Sequence, residues 1–262
     1  MLTLVQQGHD AEEAKELEHC QTPYVVTTSS SCTTSGTRVE AAFFAIFDGH
    51  AGSGAALVAS RCLHEHIKMD SVSIRCDELV VGALEAAFVD MDSQIAEDKQ
   101  TWRITGGCAA IAVLVFLGKL YVANAGDCRA VLVTDEGSRA LSSDFTPATE
   151  RKRLQTLAYQ NPELIGNCFS RLEYSRALSK KDLKTKVLFR DWFMDGWAAK
   201  TVKECDLKPP LISDCSRKRR LLNTIGVSRG FGDHHLFTVD DHLPIKPFLS
   251  SVPEVSVGSS SW

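Results

Sequence analysis

The stretch on which the fold turns is "FFAIFDGHAGSGAALVASRCLHEHI", Phe43 to Ile67. It closes a short apolar run, "RVEAAFFAIF", that begins at Arg38 and is rich in Phe and Ile. Such a run, bounded by turn residues, reads as a buried strand. After a break at Asp48-Gly49-His50, Leu57, Val58, Cys62, Leu63 and Ile67 recur at helical spacing, which predicts an amphipathic helix. The break itself has two readings. D-G alone marks a turn. A carboxylate ending a buried strand can also bind a hard cation, and glycine lets its backbone carbonyl approach as a second oxygen ligand. His50 then stands where an acid is useful, or else is simply hydrogen-bonded at the helix start.

Working outward, "ELVVGALEAAFVDMDSQIAE" predicts a second helix with Val80, Leu84, Phe88, Met91 and Ile95 on one side. Next, "GGCAAIAVLVFLGKLYVANAGDCRAVLVTDEGSRAL" is a set of apolar runs separated at "LGK", "AGD" and "DEG". Glycine at each break suits hairpins, so an antiparallel meander is expected. Its runs are more continuously apolar than a one-sided sheet needs, which predicts burial between layers. Residues 1–37, containing "TTSSSCTTSGT", read as a polar loop or disordered lead-in. Residues 148–222 are charged and carry "KKDLKTK", Trp192 and Trp197; they read as an irregular insert with little core of its own.

The 262 residues, 44% hydrophobic and 24% charged, are ordinary for a globular domain with a sizeable core. A net charge of -4 gives no global basic field for nucleic acid. "AAIAVLVFL" is too short for a bilayer, and "HDAEEAKELE" stands where a signal peptide needs an apolar core. Nine cysteines without a C-x-x-C pair read as reduced thiols. An intracellular protein, cytoplasmic or nuclear, is expected, with neither nucleic acid nor membrane as partner.

Asp127, in "VANAGDCRAVLV", repeats the form of Asp48 as an acid at a strand's end; it reads as a turn aspartate or as another oxygen donor at the same sheet edge. Arg229 and Asp233, in "GVSRGFGDHHL", are expected to pair across a Gly-rich bend. His234 and His235 are adjacent, and neighbours on a strand point to opposite faces, so one ion rarely takes both. "RKRR", Arg217 to Arg220, reads as a solvated basic loop. G-x-S-x-G, G-x-x-x-x-G-K-[ST] and H-E-x-x-H do not occur.

Taken in order, "FFAIFDGHAG", "GGCAAIAVLV", "LYVANAGDCRAVLV", "TIGVSRGFGD" and "KPFLSSVPEV" resemble the metal-dependent protein phosphatases of type 2C, from about Val39 to Val255. "SSDFTPATERKRL" and "VLFRDWFMDGWAAKTV" look closest to the H/J/M branch. The resemblance implies an α+β fold, an α-β-β-α sandwich of two antiparallel sheets flanked by helices. It implies hydrolysis of phosphoserine and phosphothreonine on proteins, using two Mn²⁺ or Mg²⁺ ions and a water they activate. By resemblance Asp48 bridges both ions, Gly49 offers its carbonyl, His50 is the general acid and Asp127 belongs to a weaker third metal. The insert at about 148–222 matches the family's flap region.

Two parts of the family pattern are missing. The N-terminal Arg with an acidic pair is not found before Val39, and Arg38 is not given its role. After "VPEV" the family continues to D-G-x-x-D and D-N segments carrying metal ligands, whereas this chain reads "SVGSSSW". A partial phosphatase domain at 38–255 with an unrelated tail at 256–262, truncated at both ends, is therefore expected. Its alternative function is that of a catalytically inactive binding or competing module.

Overall fold

The computed structural model describes residues 2–5, 24–34, 37–69, 76–97, 104–213 and 218–259, with side chains from residue 41 to 258. The chain divides into two compact units. The first comprises Met1–Asp144, Arg229–Asp233 and Ser250–Trp262; the second comprises Phe145–Ser228 and His234–Leu249.

In the first unit, β1 (Leu2–Val5), β2 (Tyr24–Thr34) and β3 (Thr37–His50) precede α1 (Gly54–His66) and α2 (Asp77–Glu97). β4 (Gly107–Phe116), β5 (Lys119–Ala125), β6 (Arg129–Thr134) and β7 (Gly137–Ala140) follow. After the second unit's elements come β13 (Phe231–Gly232) and β14 (Glu254–Ser259). The large antiparallel sheet has the order β14-β5-β4-β3-β2. The small one has the order β1-β6-β7.

Side-chain alternation explains the layers. Phe43, Ala45 and Phe47 of β3, with Cys108, Ala110, Ala112 and Leu114 of β4, face α1 and α2 in one buried cluster. Ile46, Ala109, Ile111, Val113, Leu120 and Val122 point the other way and pack with Cys128 and Ala130. Both faces of the central strands are buried, which is why their text is continuously apolar. The expected face of α2 is observed: Val80, Leu84, Phe88, Met91 and Ile95 are all buried. On α1 the expected Val58 and Leu63 are buried, and Cys62 and Ile67 pack against the same cluster; Ala55, Ala56 and Ala59 join them, small residues that let the helix lie close to the sheet.

Several expectations are corrected. The strand does not stop before Asp48: β3 carries Asp48, Gly49 and His50 as its last rungs, paired with Ala109, Cys108 and Gly107. The meander is broken, since β5 and β6 belong to different sheets and the chain crosses between them at residues 126–128. Residues 24–34, expected in a polar lead-in, form β2 and pair rung for rung with β3; strand pairing uses the main chain, so Ser and Thr do not prevent it. Of the rest of that lead-in, Leu2–Val5 form β1 and Thr37 opens β3, while residues 1, 6–23, 35 and 36 lie outside the described residues. The expected tail likewise begins as strand, with Ser256 to Ser259 paired to β5. The fold is mixed α and β with antiparallel sheets. Among the described residues of this unit, both helices contribute to the cluster on one face of the large sheet.

The second unit contains α3 (Arg151–Gln160), β8 (Glu173–Tyr174), β9 (Lys186–Arg190), β10 (Ala198–Thr201), β11 (Ile212–Ser213) and β12 (Arg220–Leu221). β8, β9 and β10 form a small antiparallel sheet, and β11 pairs with β12. Contrary to the expected irregular insert, it has its own core: Leu154, Ala158, Phe169, Leu211, Leu221, Ile245 and Phe248, among others, are buried together. Only Leu154 and Ala158 share a helical spacing on α3; the remaining positions are spread in short groups from Ile165 to Leu249, so no sustained periodicity announces the core.

Candidate functional site

The end of β3 meets the start of β4, where His50 pairs with Gly107. β5 pairs with β4 only from Ala110 onward, and β13 takes the lane it leaves, with Phe231 beside Cys108 and Gly232 beside Gly107. Gly107 therefore lies between His50 on one side and Gly232 on the other. Just beyond Gly232 the chain bends, and Asp233 adopts a left-handed φ of 58°. Its amide donates to the Gly106 carbonyl at 2.9 Å. Its carboxylate crosses back over Gly107, where Oδ2 accepts from His50 Nε2 at 2.6 Å. A Cβ on Gly107 would overlap that Oδ2 and stand 2.8 Å from His50 Nε2. The pair exists because residue 107 has no side chain.

Asp48 and His50 continue the row of Phe44 and Ile46 on the inter-sheet face of β3. Asp48 is opposite Ala109, and the pairing of Ala110 with Ala125 puts Gly126 and Asp127 just past the end of β5, on the other side of Ala109. Electrostatics agree with this placement. Burial pulls the His50 pKa down, but the hydrogen bond and charge of Asp233, with the charges of Asp48 and Asp127, together lift it above 6.5. Cys128 is pushed well up by burial and by Asp48, Asp127 and Asp144. Cys108, fully buried, is pushed up likewise. Both cysteines stay protonated thiols, which leaves them poor nucleophiles.

The expected site residues Asp48, Gly49, His50 and Asp127 thus lie at one end of the same strands. Divalent hard cations take about six oxygen ligands. Among the described residues, no group of three or more His, Cys, Asp or Glu is placed to hold a metal ion. The two carboxylates and the Gly49 carbonyl do not by themselves complete a site for Mn²⁺ or Mg²⁺.

Sequence reasoning missed Asp233 as a partner of His50. It was expected to pair with Arg229, whose Nη1 donates to the Val252 carbonyl at 3.0 Å. The signal was the Gly-Phe-Gly spacing before Asp233, which permits a bend tight enough to turn the acid back. Gly107 was also missed, although the "GG" that opens β4 marks a close approach. The basic run reads differently too: Arg219 binds Glu173 at 2.7 Å and Arg220 donates to the Thr224 carbonyl, while Arg217 lies outside the described residues. His66 Nε2 sits 2.7 Å from Gln94 Oε1, a structural contact between α1 and α2.

A model of the protein phosphatase 2C family matches residues 8–205, which includes residues 8–37 that the sequence motifs left out. Protein phosphatase 1H of Mus musculus is 42% identical over 273 residues, covering 82% of this chain and 53% of that protein. Protein phosphatase 1M of Homo sapiens is 42% identical over 246 residues, covering 82% and 54%. Protein phosphatase 1J of Rattus norvegicus is 42% identical over 256 residues, covering 82% and 51%. The chain spans about half the length of the curated relatives it matches. Among solved structures, serine-threonine phosphatase 2C from Toxoplasma gondii matches 91% of this chain and 78% of its own, at TM-score 0.44 and 16% identity. A C. elegans sex determining protein matches 91% and 49%, at TM-score 0.49 and 15% identity. No helix among the described residues is long and apolar enough to cross a membrane. With a family model matched over most of its length, the chain belongs to the protein phosphatase 2C family.

Proposed function

We propose that this chain serves the hydrolysis of phosphoserine and phosphothreonine in protein substrates, with His50 as the proton donor to the departing alkoxide. The observation that carries this reading is the His50–Asp233 pair, built over Gly107 at the strand end that also holds Asp48 and Asp127. Nε2 is engaged with Asp233, so Nδ1 is the nitrogen left to face a substrate. The neighbouring carboxylates favour the protonated ring, the form a general acid needs. A positioned acid is worth roughly 10²–10⁴-fold in rate.

Asp48 and the Gly49 carbonyl are proposed as donors to Mn²⁺ or Mg²⁺, and Asp127 as a donor at a weaker third position. Such ions, when bound, lower the pKa of water and offset charge on the phosphoryl oxygens. These donors fill only part of what the cations require.

That shortfall favours a second reading, a phosphatase-like module that binds phosphoproteins without hydrolysing them. Phosphopeptide hydrolysis by the full 262-residue chain, titrated with Mn²⁺, separates the two. We expect Mn²⁺-dependent phosphate release that falls at least 100-fold in Asp48→Asn and in His50→Gln, on the scale of a lost catalytic group. Retained phosphopeptide binding with no turnover at any Mn²⁺ concentration supports the binding module instead.

A further inference from the structure

Asp92 lies on α2, next to Met91 and within the helix's buried face, and is only 6% exposed. Burying a carboxylate there is costly unless it is well used. Its Oδ1 accepts the Gly232 amide at 2.9 Å. That amide opens the bend whose next residue is Asp233. The bend is tight on every side: Gly232 has φ 80°, and a Cβ there would lie 2.5 Å from the Gly106 carbonyl oxygen and 3.0 Å from Gly107 Cα. Asp233 follows in the left-handed region, which is unfavourable for a residue with a side chain, so something must hold it. Two main-chain amides are held: Asp233 N–H donates to the Gly106 carbonyl, and Gly232 N–H donates to the Asp92 carboxylate. The same helix also packs Phe88 against Phe231, ring centroids 5.0 Å apart. α2 thus grips both residues of β13.

We propose that Asp92 is a positioning residue for His50: by accepting the Gly232 amide, its carboxylate fixes the bend that carries Asp233 onto the imidazole. Asp92 touches neither the ring nor any substrate; it acts through two intervening residues. The catalytic consequence rests on the phosphatase reading above, whereas the geometric claim does not.

The test uses the full chain in three variants: Asp92→Ala, Asp92→Asn and, as a control elsewhere in the same buried face, Leu84→Ala. Two signals are read by NMR at one fixed pH, namely exchange of the Gly232 amide and the hydrogen-bonded Nε2 proton of His50. In Asp92→Ala the amide exchanges faster by tenfold or more, on the order expected when a protecting hydrogen bond is removed, and the imidazole proton signal disappears. Asp92→Asn restores both, because its Oδ1 still accepts. Leu84→Ala lowers stability and leaves both in place. An unchanged His50 signal in Asp92→Ala, or its equal loss in Leu84→Ala, overturns the proposal. If the alanine variant does not fold, Asp92→Glu, with a longer arm, has to shift the His50 signal, and an unshifted signal is equally fatal. In the activity arm, kcat for a phosphopeptide falls in Asp92→Ala with KM little changed and recovers in Asp92→Asn. Wild-type protein without turnover would sink the phosphatase reading alone, since the NMR signals decide the role of Asp92 independently.

Discussion

At the scale of single residues, the site depends on an absence. Gly107 has nothing beyond Cα, and the His50–Asp233 pair occupies the space a methyl group would need. Its Cβ would come within 2.6 Å of Asp233 Cγ. The obstacle is a side chain, not backbone, so the conflict in Gly107→Ala is relieved when the pair separates. We expect that substitution to cost about 1–3 kcal/mol, typical of overpacking a filled position, while the His50–Asp233 contact is lost altogether. Denaturant unfolding gives the first quantity, and the Nε2 proton signal of His50 gives the second. A folded Gly107→Ala protein that keeps the imidazole signal would show that Asp233 reaches His50 by another path. The same logic explains why this pair is hard to foresee. His50 and Asp233 stand 183 positions apart, and nothing near either one names the other.

At the scale of elements, the β4–β5 hairpin carries local strain. Its two-residue turn has φ 50° at Leu117 and 72° at Gly118, both positive as this tight hairpin turn requires. Leucine gains little in return, since the residue is 49% exposed. Leu117→Asn puts a residue tolerant of left-handed backbone there and is expected to stabilise the chain by about 0.5–1 kcal/mol. An unchanged or lower denaturation midpoint would contradict that account of the turn. This hairpin was legible from "LGK", as were β3, β4 and the buried face of α2, because each is written in a local period that neighbouring residues share. Elements set by partners elsewhere were not legible. β2 forms from Ser and Thr because β3 offers eleven rungs of main chain, and β13 is two residues long and exists only where β5 falls short of β4. The site divides the same way. Asp48, Gly49, His50 and Asp127 were visible as acids and an imidazole at strand ends. Asp233, Gly107 and Asp92 were not, because their roles arise from pairing across the sheet and from a helix that reaches its end.

At the scale of the whole molecule, the two units are stabilised by different means. The first has two apolar layers, one on each face of its large sheet. The second has a smaller apolar core and, beside it, a carboxylate ringed by guanidinium groups. Glu173 takes a two-pronged contact from Arg190, at 2.5 and 3.1 Å, and a third from Arg219 at 2.7 Å; Arg151 stands 3.7 Å away. Burial alone would raise the Glu173 pKa, but Arg190 and Arg219 outweigh it and hold the group below its ordinary value. Nearby, Arg171 closes on Asp191, which also caps the Trp192 amide. With the folded pKa depressed, the stabilisation from Glu173 is fully present above its unfolded value of about 4.3 and is lost as pH falls through the folded one. Glu173→Gln removes the charge and leaves Arg151, whose side chain is 8% exposed, without its nearest carboxylate. Breaking a buried pair in this way costs on the order of 3–5 kcal/mol. At pH 7 the variant should therefore melt well below wild type, followed by fluorescence to which Trp192 and Trp197 of this unit contribute. As the pH is lowered past 4 the two curves should converge, because acid removes from wild type the charge that the variant already lacks. Other acids of the unit, Asp206 among them, titrate in both proteins and cancel in the difference. A gap between the two melting curves that stays constant from pH 7 to pH 3 would mean that Glu173 contributes packing and hydrogen bonds, and that its charge is not what holds the arginines in place.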